Sequence, residues 1–223
     1  MKRIILLSLT ALALVFSLSS CMTSRYTTDT KVSQIDELAL IQPRAYQLFF
    51  TTNTSVREPS LCSGSEELMT SIVTSRRYPF TDVVAADYAE ADNDIAKWID
   101  TFSDLEPSDA KYLKVPKGLH DKIVASGHRY GIVLHSYGYI KSNDLYDKER
   151  MEKLVGDIIR AVFNTTPRYS SVEQYGNALY AAVIDTQSDR VVYFSRVLSN
   201  ADHPLHRPHV TEQMRKLLKD FER

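Results

Sequence analysis

Glycine is scarce in this chain, at seven of 223 residues, and that scarcity argues against a phosphate-cradling loop or a large all-β sandwich. No G-x-S-x-G segment is present, so the nucleophile elbow of the α/β-hydrolases is absent. Basic excess is missing as well. Lys and Arg number 27 against 28 Asp and Glu, giving a formal net charge of -1, and no basic run suggests nucleic acid as a partner. Internal repeats and low-complexity segments are also lacking. The two cysteines are Cys21 and Cys62.

The first twenty residues are unlike the rest. Lys2 and Arg3 form a short positive start, and Ile4 to Leu18 is an apolar stretch broken only by small hydroxyl residues. It is short for a membrane span and is followed by no charged stop-transfer flank. It ends in Leu18-Ser19-Ser20-Cys21: an aliphatic residue, two small ones and a cysteine. This resembles the lipobox of bacterial lipoproteins, in which the cysteine thiolate receives a diacylglyceryl group before cleavage. An ordinary secretory signal that happens to contain a cysteine is the alternative. The resemblance implies a signal peptide over residues 1–20 and acylation, palmitate included, at Cys21. Two or three acyl chains, at about 0.8 kcal/mol per buried methylene, would anchor the protein permanently. Met22 stands where inner-membrane lipoproteins of enterobacteria often carry Asp, which favours the outer membrane over the inner. Loss of Lys2 and Arg3 takes the net charge from -1 to -3. With Cys21 acylated, Cys62 has no disulfide partner and reads as a small buried apolar residue. Residues 21–33, rich in Thr and Ser, read as the lipidated N-terminus and a polar tether, and residues 34–223 as one domain with a sizeable core.

Within that domain the apolar spacing alternates between helix and strand. Ile35 to Ile41 reads as a first strand closed by Pro43, and Tyr46 to Thr51 as a second. Ser63 and Glu66 match a capping box ahead of Leu68, Met69, Ile72 and Val73. Phe80 to Ala85 reads as a short strand. Asp92 or Asn93 is placed to cap a helix carrying Ile95, Trp98, Ile99 and Phe102. Pro116 opens a helix with Leu119, Ile123 and Val124, stopped at Ser126-Gly127. Tyr130 to Ile140 is the central strand, since Ile132, Val133 and Leu134 require burial on both faces. A long helix spans Tyr146 to Phe163, with Met151, Leu154, Val155, Ile158, Ile159, Val162 and Phe163 on one stripe. Ala178–Asp185 and Arg190–Leu198 make a hairpin, and a last helix follows Pro208. The sum is an α/β (α+β) fold: a single mixed β-sheet with helices packed on it and a late antiparallel hairpin.

Gly127 to Leu134, then Leu179 to Thr186 running into Val191-Val192-Tyr193-Phe194, resembles the lipoproteins built on the fold of the TolB amino-terminal domain. These include LpoB activators of peptidoglycan synthases and the curli secretion lipoprotein CsgG. The likeness covers Val115 to Leu198; Ser188-Asp189-Arg190 departs from the usual turn. It implies a non-enzymatic envelope adaptor that presents a surface to a larger protein.

No catalytic constellation stands out. His203, His206 and His209 lie at intervals of three and are candidate metal ligands with Asp202, but Pro204 and Pro208 keep them off one helix face, and Arg207 sets a positive charge among them. The reading is therefore no metal and no cofactor. His135 and Ser136 are adjacent on a strand and point to opposite faces, so they cannot act as base and nucleophile. Thirteen tyrosines are the distinctive compositional feature. A large rigid ring ending in a hydroxyl suits contact surfaces, although edges of a core use it too. Tyr137 and Tyr139 share one strand face, and Arg168, Tyr169 and Tyr175 fall in the segment leading to the hairpin; these five are the candidate interaction surface. The function expected is a lipid-anchored, non-enzymatic binding or adaptor module for another envelope protein. The alternatives are an envelope hydrolase acting on cell-wall or glycan material, and a small-ligand carrier, which needs a preformed apolar cavity.

Overall fold

Three consecutive apolar residues, Ile132, Val133 and Leu134, cannot all face one side of a strand, so their segment needs cover on both. The computed structural model supplies it. It describes residues 21–28, 31–75, 78–86, 88, 94–162, 171–200 and 203–222. The expected signal peptide and the caps Asp92 and Asn93 lie outside them. In chain order the elements are β1 (Cys21–Thr27), β2 (Leu38–Ile41), β3 (Arg44–Phe50), β4 (Ser55–Arg57), α1 (Pro59–Thr74) and β5 (Phe80–Val84). Then come α2 (Asp94–Asp100), α3 (Lys117–Ala125), β6 (Tyr130–Lys141), α4 (Asn143–Val162), β7 (Tyr175–Asp185), β8 (Arg190–Ser199) and α5 (Arg207–Leu217). Short 3-10 turns lie at Val32–Gln34, Thr101–Asp104, Pro107–Tyr112 and Lys219–Phe221.

The described strands form one mixed sheet in the order β1-β8-β7-β6-β2-β5. β6 is its axis. Its first residues pair parallel with β2 and the remainder pair parallel with β3, which carries β4 on its outer edge. On the other side β6, β7, β8 and β1 run antiparallel in succession. The split arises at Gln42-Pro43, where proline lacks the amide a ladder needs and the chain leaves β2 to re-enter as β3.

Alternation along the strands sorts side chains into two cores. Leu134, Leu179, Ala181, Val183 and Val197 join Met69 and Ile72 of α1 and Met214 and Leu217 of α5 on the first face. Val133, Tyr180, Ala182 and Phe194 join Trp98 and Ile99 of α2, Phe102, and Leu119 and Ile123 of α3 on the second. The result is the expected fold class: helices on a mixed sheet with a late antiparallel hairpin, here β7 and β8. Asp185 opens its turn. The carboxylate accepts bonds from the Gln187 amide at 3.1 Å and the Ser188 hydroxyl at 3.1 Å, and is gripped by Arg129 through two 2.8 Å bonds. Asp189 takes the left-handed φ of 53° that the turn demands.

Several local expectations need correction. The segment expected as a tether contains β1, paired with β8 from Cys21 against Ser199 to Thr27 against Tyr193. Its Thr-rich, β-branched composition suits an edge strand as well as a linker. The first strand begins at Leu38, after a 3-10 turn. Helix α1 starts at Pro59, whose fixed φ and missing amide suit a first helical position; Ser63 lies inside it, its hydroxyl bonded to the Pro59 carbonyl at 3.1 Å. The largest departure is α4. It runs from Asn143 to Val162, but no described residue of it is fully buried, and Met151, Leu154, Val155 and Ile158 are each 50–57 % exposed.

Candidate functional site

Strand parity sets which side chains meet at the end of the sheet where β3 and β6 finish. Arg44, Tyr46, Leu48 and Phe50 alternate onto the second face of β3, and His135, Tyr137, Tyr139 and Lys141 onto the same face of β6. The parallel register sets Tyr46 beside Tyr137 and Leu48 beside Tyr139. Tyr46 and Tyr137 stack at 5.6 Å with their planes 6° apart, and Phe50 meets Tyr139 edge-on at 5.8 Å. All four rings are half-buried, because the helices of this face cover the opposite part of the sheet. Burial pushes the Tyr137 and Tyr139 hydroxyls above the usual tyrosine range. Two cations rim this aromatic shelf: Arg57 sits 5.3 Å from the Tyr46 ring centre, and the Lys141 ammonium 5.8 Å from that of Tyr139. Gly176 opposes Tyr139 in the ladder, and a Cβ there would lie 2.3 Å from the tyrosine ring. Glycine is what lets the ring lie flat across β7.

Arg57 also borders a crevice of about 770 Å³ where β2 and β5 end, next to the Gln42-Pro43 split. Gln42, Arg44, Cys62, Glu66, Tyr88 and Lys122 are among its walls. Arg44 holds Asp100 through two 2.9 Å bonds and lies 5.2 Å from the Tyr88 ring centre. The Tyr88 hydroxyl donates to the Gln42 carbonyl at 2.6 Å, and Glu66 accepts from the Ala45 amide at 2.9 Å. Burial raises the Glu66 carboxyl above the usual range. Cys62 is buried with a free thiol, whose sulfur accepts from the Gln47 amide at 3.3 Å. The crevice mixes charged walls (Arg44, Arg57, Glu66, Lys122) with apolar ones (Pro59, Ala85, Ala86), whereas a carrier was expected to need an apolar cavity.

Beneath the other end of the shelf lies His135, fully buried. Its Nδ1 is 3.1 Å from the Arg44 carbonyl, which can only accept, so that nitrogen carries the proton. Nε2 meets no partner among the described residues. Burial lowers the imidazole from 6.5 to about 4, so the ring is neutral at pH 7. On the first face a polar chain runs through the core. Gln47 donates to Ser136 at 2.8 Å, Ser136 to Asn177 at 3.0 Å, and Asn177 to Gln213 at 3.0 Å. It ties β3, β6, β7 and α5 in one register.

Of the five residues expected at an interaction surface, Tyr137 and Tyr139 lie together on the shelf. Tyr175 is on the opposite face, edge-on to His203 at 5.5 Å. Arg168 and Tyr169 lie outside the described residues. Tyr46, Phe50, Arg57 and Lys141 were missed, since nothing in the sequence announces that β3 pairs with β6. The three late histidines do not converge. His203 Nδ1 accepts from the Leu205 amide at 3.1 Å, the His209 ring meets the Ser199 hydroxyl at 2.7 Å, and the His206 carbonyl caps α5 through Val210. Among the described residues no group of three or more His, Cys, Asp or Glu could hold a metal, and no helix is long and apolar enough to cross a membrane.

No protein-family model matches the chain, and no curated protein matches it in sequence. Its fold is weakly similar to those of several solved structures. PelC from Paraburkholderia phytofirmans, a dodecamer, is 10% identical over 91% of this chain and 99% of its own, with a TM-score of 0.43. The C-terminal domain of LpoB from Salmonella enterica is 11% identical over 74% of this chain and 84% of its own, with a TM-score of 0.31. A DUF4136 family protein from Bacteroides thetaiotaomicron is 8% identical over 91% of this chain and 95% of its own, also with a TM-score of 0.31. Likeness of this degree assigns no activity, and the chain remains similar to these proteins in outline alone.

Proposed function

We propose that this chain is a lipid-anchored protein of the bacterial envelope that binds another envelope protein through the aromatic shelf, without catalysis of its own. The observation that carries the reading is the shelf: Tyr46, Phe50, Tyr137 and Tyr139 lie side by side, half-buried, under a rim of Arg57 and Lys141. Aromatic rings with polar tips and a cationic edge suit a partner segment that carries apolar and acidic side chains. The anchor is the acylated Cys21 implied by the Leu18-Ser19-Ser20-Cys21 sequence, and the outer membrane is its favoured site.

The test is affinity capture after crosslinking of the anchored protein in its own cells, comparing wild type with the Tyr137→Ala and Tyr139→Ala double variant. The expected result is one partner recovered by wild type and lost by the variant. Equal recovery by both, or hydrolysis of cell-wall material by the purified protein, would sink the reading. For the anchor, Cys21→Ala should abolish membrane retention; a variant still in the membrane fraction and labelled with palmitate rejects the lipobox.

A second reading has one observation in its favour. The crevice beside Arg57, with Lys122 and Tyr88 in its walls, has the size of a small-molecule site. A carrier of a small anionic ligand would use it. Arg57→Ala should then weaken ligand binding without disturbing the fold.

A further inference from the structure

We propose that α4 is a self-association helix, packed antiparallel against α4 of a second copy of this chain. The helix leaves the sheet after β6, and none of its residues whose burial is described is fully buried. Met151, Leu154, Val155 and Ile158 follow the i, i+3, i+4, i+7 spacing of a helix-packing stripe, and all four are open to solvent. They account for half of the large hydrophobic residues exposed among the described residues.

The surface beside the stripe already has the shape such packing needs. A groove of about 410 Å³ runs along α4, lined among the described residues by that helix alone, and Asp147, Arg150, Met151 and Leu154 mark its corners. Four residues at that spacing form the hole that receives a side chain from a facing helix. Charge then selects the occupant. Five carboxylates and four cations alternate along α4, and Asp157 is already paired with Lys153 and Arg160. Helices that lie in a lipid surface are instead rich in Lys and Arg on the polar face. A mixed flank complements its own reverse. If Met151 packs beside Leu154 of the partner subunit, Arg150 faces Asp157 of the partner subunit, and the two-fold axis repeats that contact. A parallel pairing in register would instead set Arg150 across from Val155 of the partner subunit, with no opposite charge to meet.

The experiment uses the full chain in mild detergent, with association followed by sedimentation equilibrium. Wild type is expected to dimerise reversibly. Arg150→Glu alone and Asp157→Arg alone should each weaken association by roughly tenfold, through two like-charge contacts per dimer. An equimolar mixture of the two variants should regain wild-type affinity, because each introduced charge then meets its opposite. Leu154→Lys should abolish association. Because Arg150 and Leu154 are exposed and Asp157 is only partly buried, the circular dichroism of the folded domain should be unchanged in all of them. The proposal is overturned if wild type stays monomeric, or if the mixture associates no better than either variant alone. It is also overturned if Leu154→Lys leaves association intact and instead abolishes binding to phosphatidylethanolamine–phosphatidylglycerol vesicles, which would assign the stripe to the bilayer.

Discussion

His135 shows how one buried side chain sets a pH response. Its folded pKa of about 4 lies below the ordinary 6.5, so between those values the unfolded chain binds more protons than the folded one. Stability therefore rises with pH from about 4 to 6.5, is complete above that window, and loses on the order of 3 kcal/mol on acidification through it. Urea denaturation of wild type and His135→Gln from pH 4 to 8 checks this: the slope should flatten in the variant. Asp185 adds a further loss at lower pH. The Arg129 guanidinium holds its carboxyl below the usual range, so its contribution is present above about pH 4 and fades as pH falls through the depressed value. Gly138 offers a steric test of the polar core. A Cβ there would lie 2.5 Å from the Gln47 amide oxygen and 2.6 Å from the Gly176 carbonyl, and the second is backbone that cannot step aside. Gly138→Ala is expected to cost about 1–3 kcal/mol in a urea titration. Such constraints were invisible in the sequence. Both glycines on this part of the sheet, Gly138 and Gly176, owe their identity to neighbours from other strands.

Among the elements, those whose pattern is local were legible and those decided by pairing were not. β6, β7, β8 and the turn at Asp185 follow from runs of apolar residues broken by polar turn residues, and the structure keeps them. The helical stripe of α4 was equally legible, yet periodicity reports only that an apolar face exists, not that anything covers it. β1 was misread for the converse reason. An edge strand needs only one partner, so Thr, Ser and Arg can alternate in it without an apolar signature. The aromatic shelf was half visible: Tyr137 and Tyr139 share a strand, whereas Tyr46 and Phe50 join them through a parallel register that no short-range rule specifies. The β1 assignment can be checked directly. Deleting residues 21–27 should expose the β8 edge and accelerate hydrogen exchange of β8 amides, leaving those of β6 protected.

At the scale of the whole molecule, the pairing register places Cys21, Ser199, Asn177 and Gly138 across the same end of the sheet, the end from which α4 departs and beside which the shelf lies. An acyl chain on Cys21, as we propose, would hold that end towards the bilayer. Because β1 begins at Cys21, a lipid there would have no slack to the domain, and inserting a flexible segment between Cys21 and Met22 should reduce partner recovery in the capture experiment while leaving membrane retention unchanged. The strand also has a mechanical consequence. A pull between the membrane and a bound partner would act along β1, so its bonds to β8 from Cys21 to Thr27 would be loaded in parallel, as in shear, rather than opened one at a time like a zipper. An anchor at Cys21 would then be a tension-bearing splice, and the first part to slip under load would be β1.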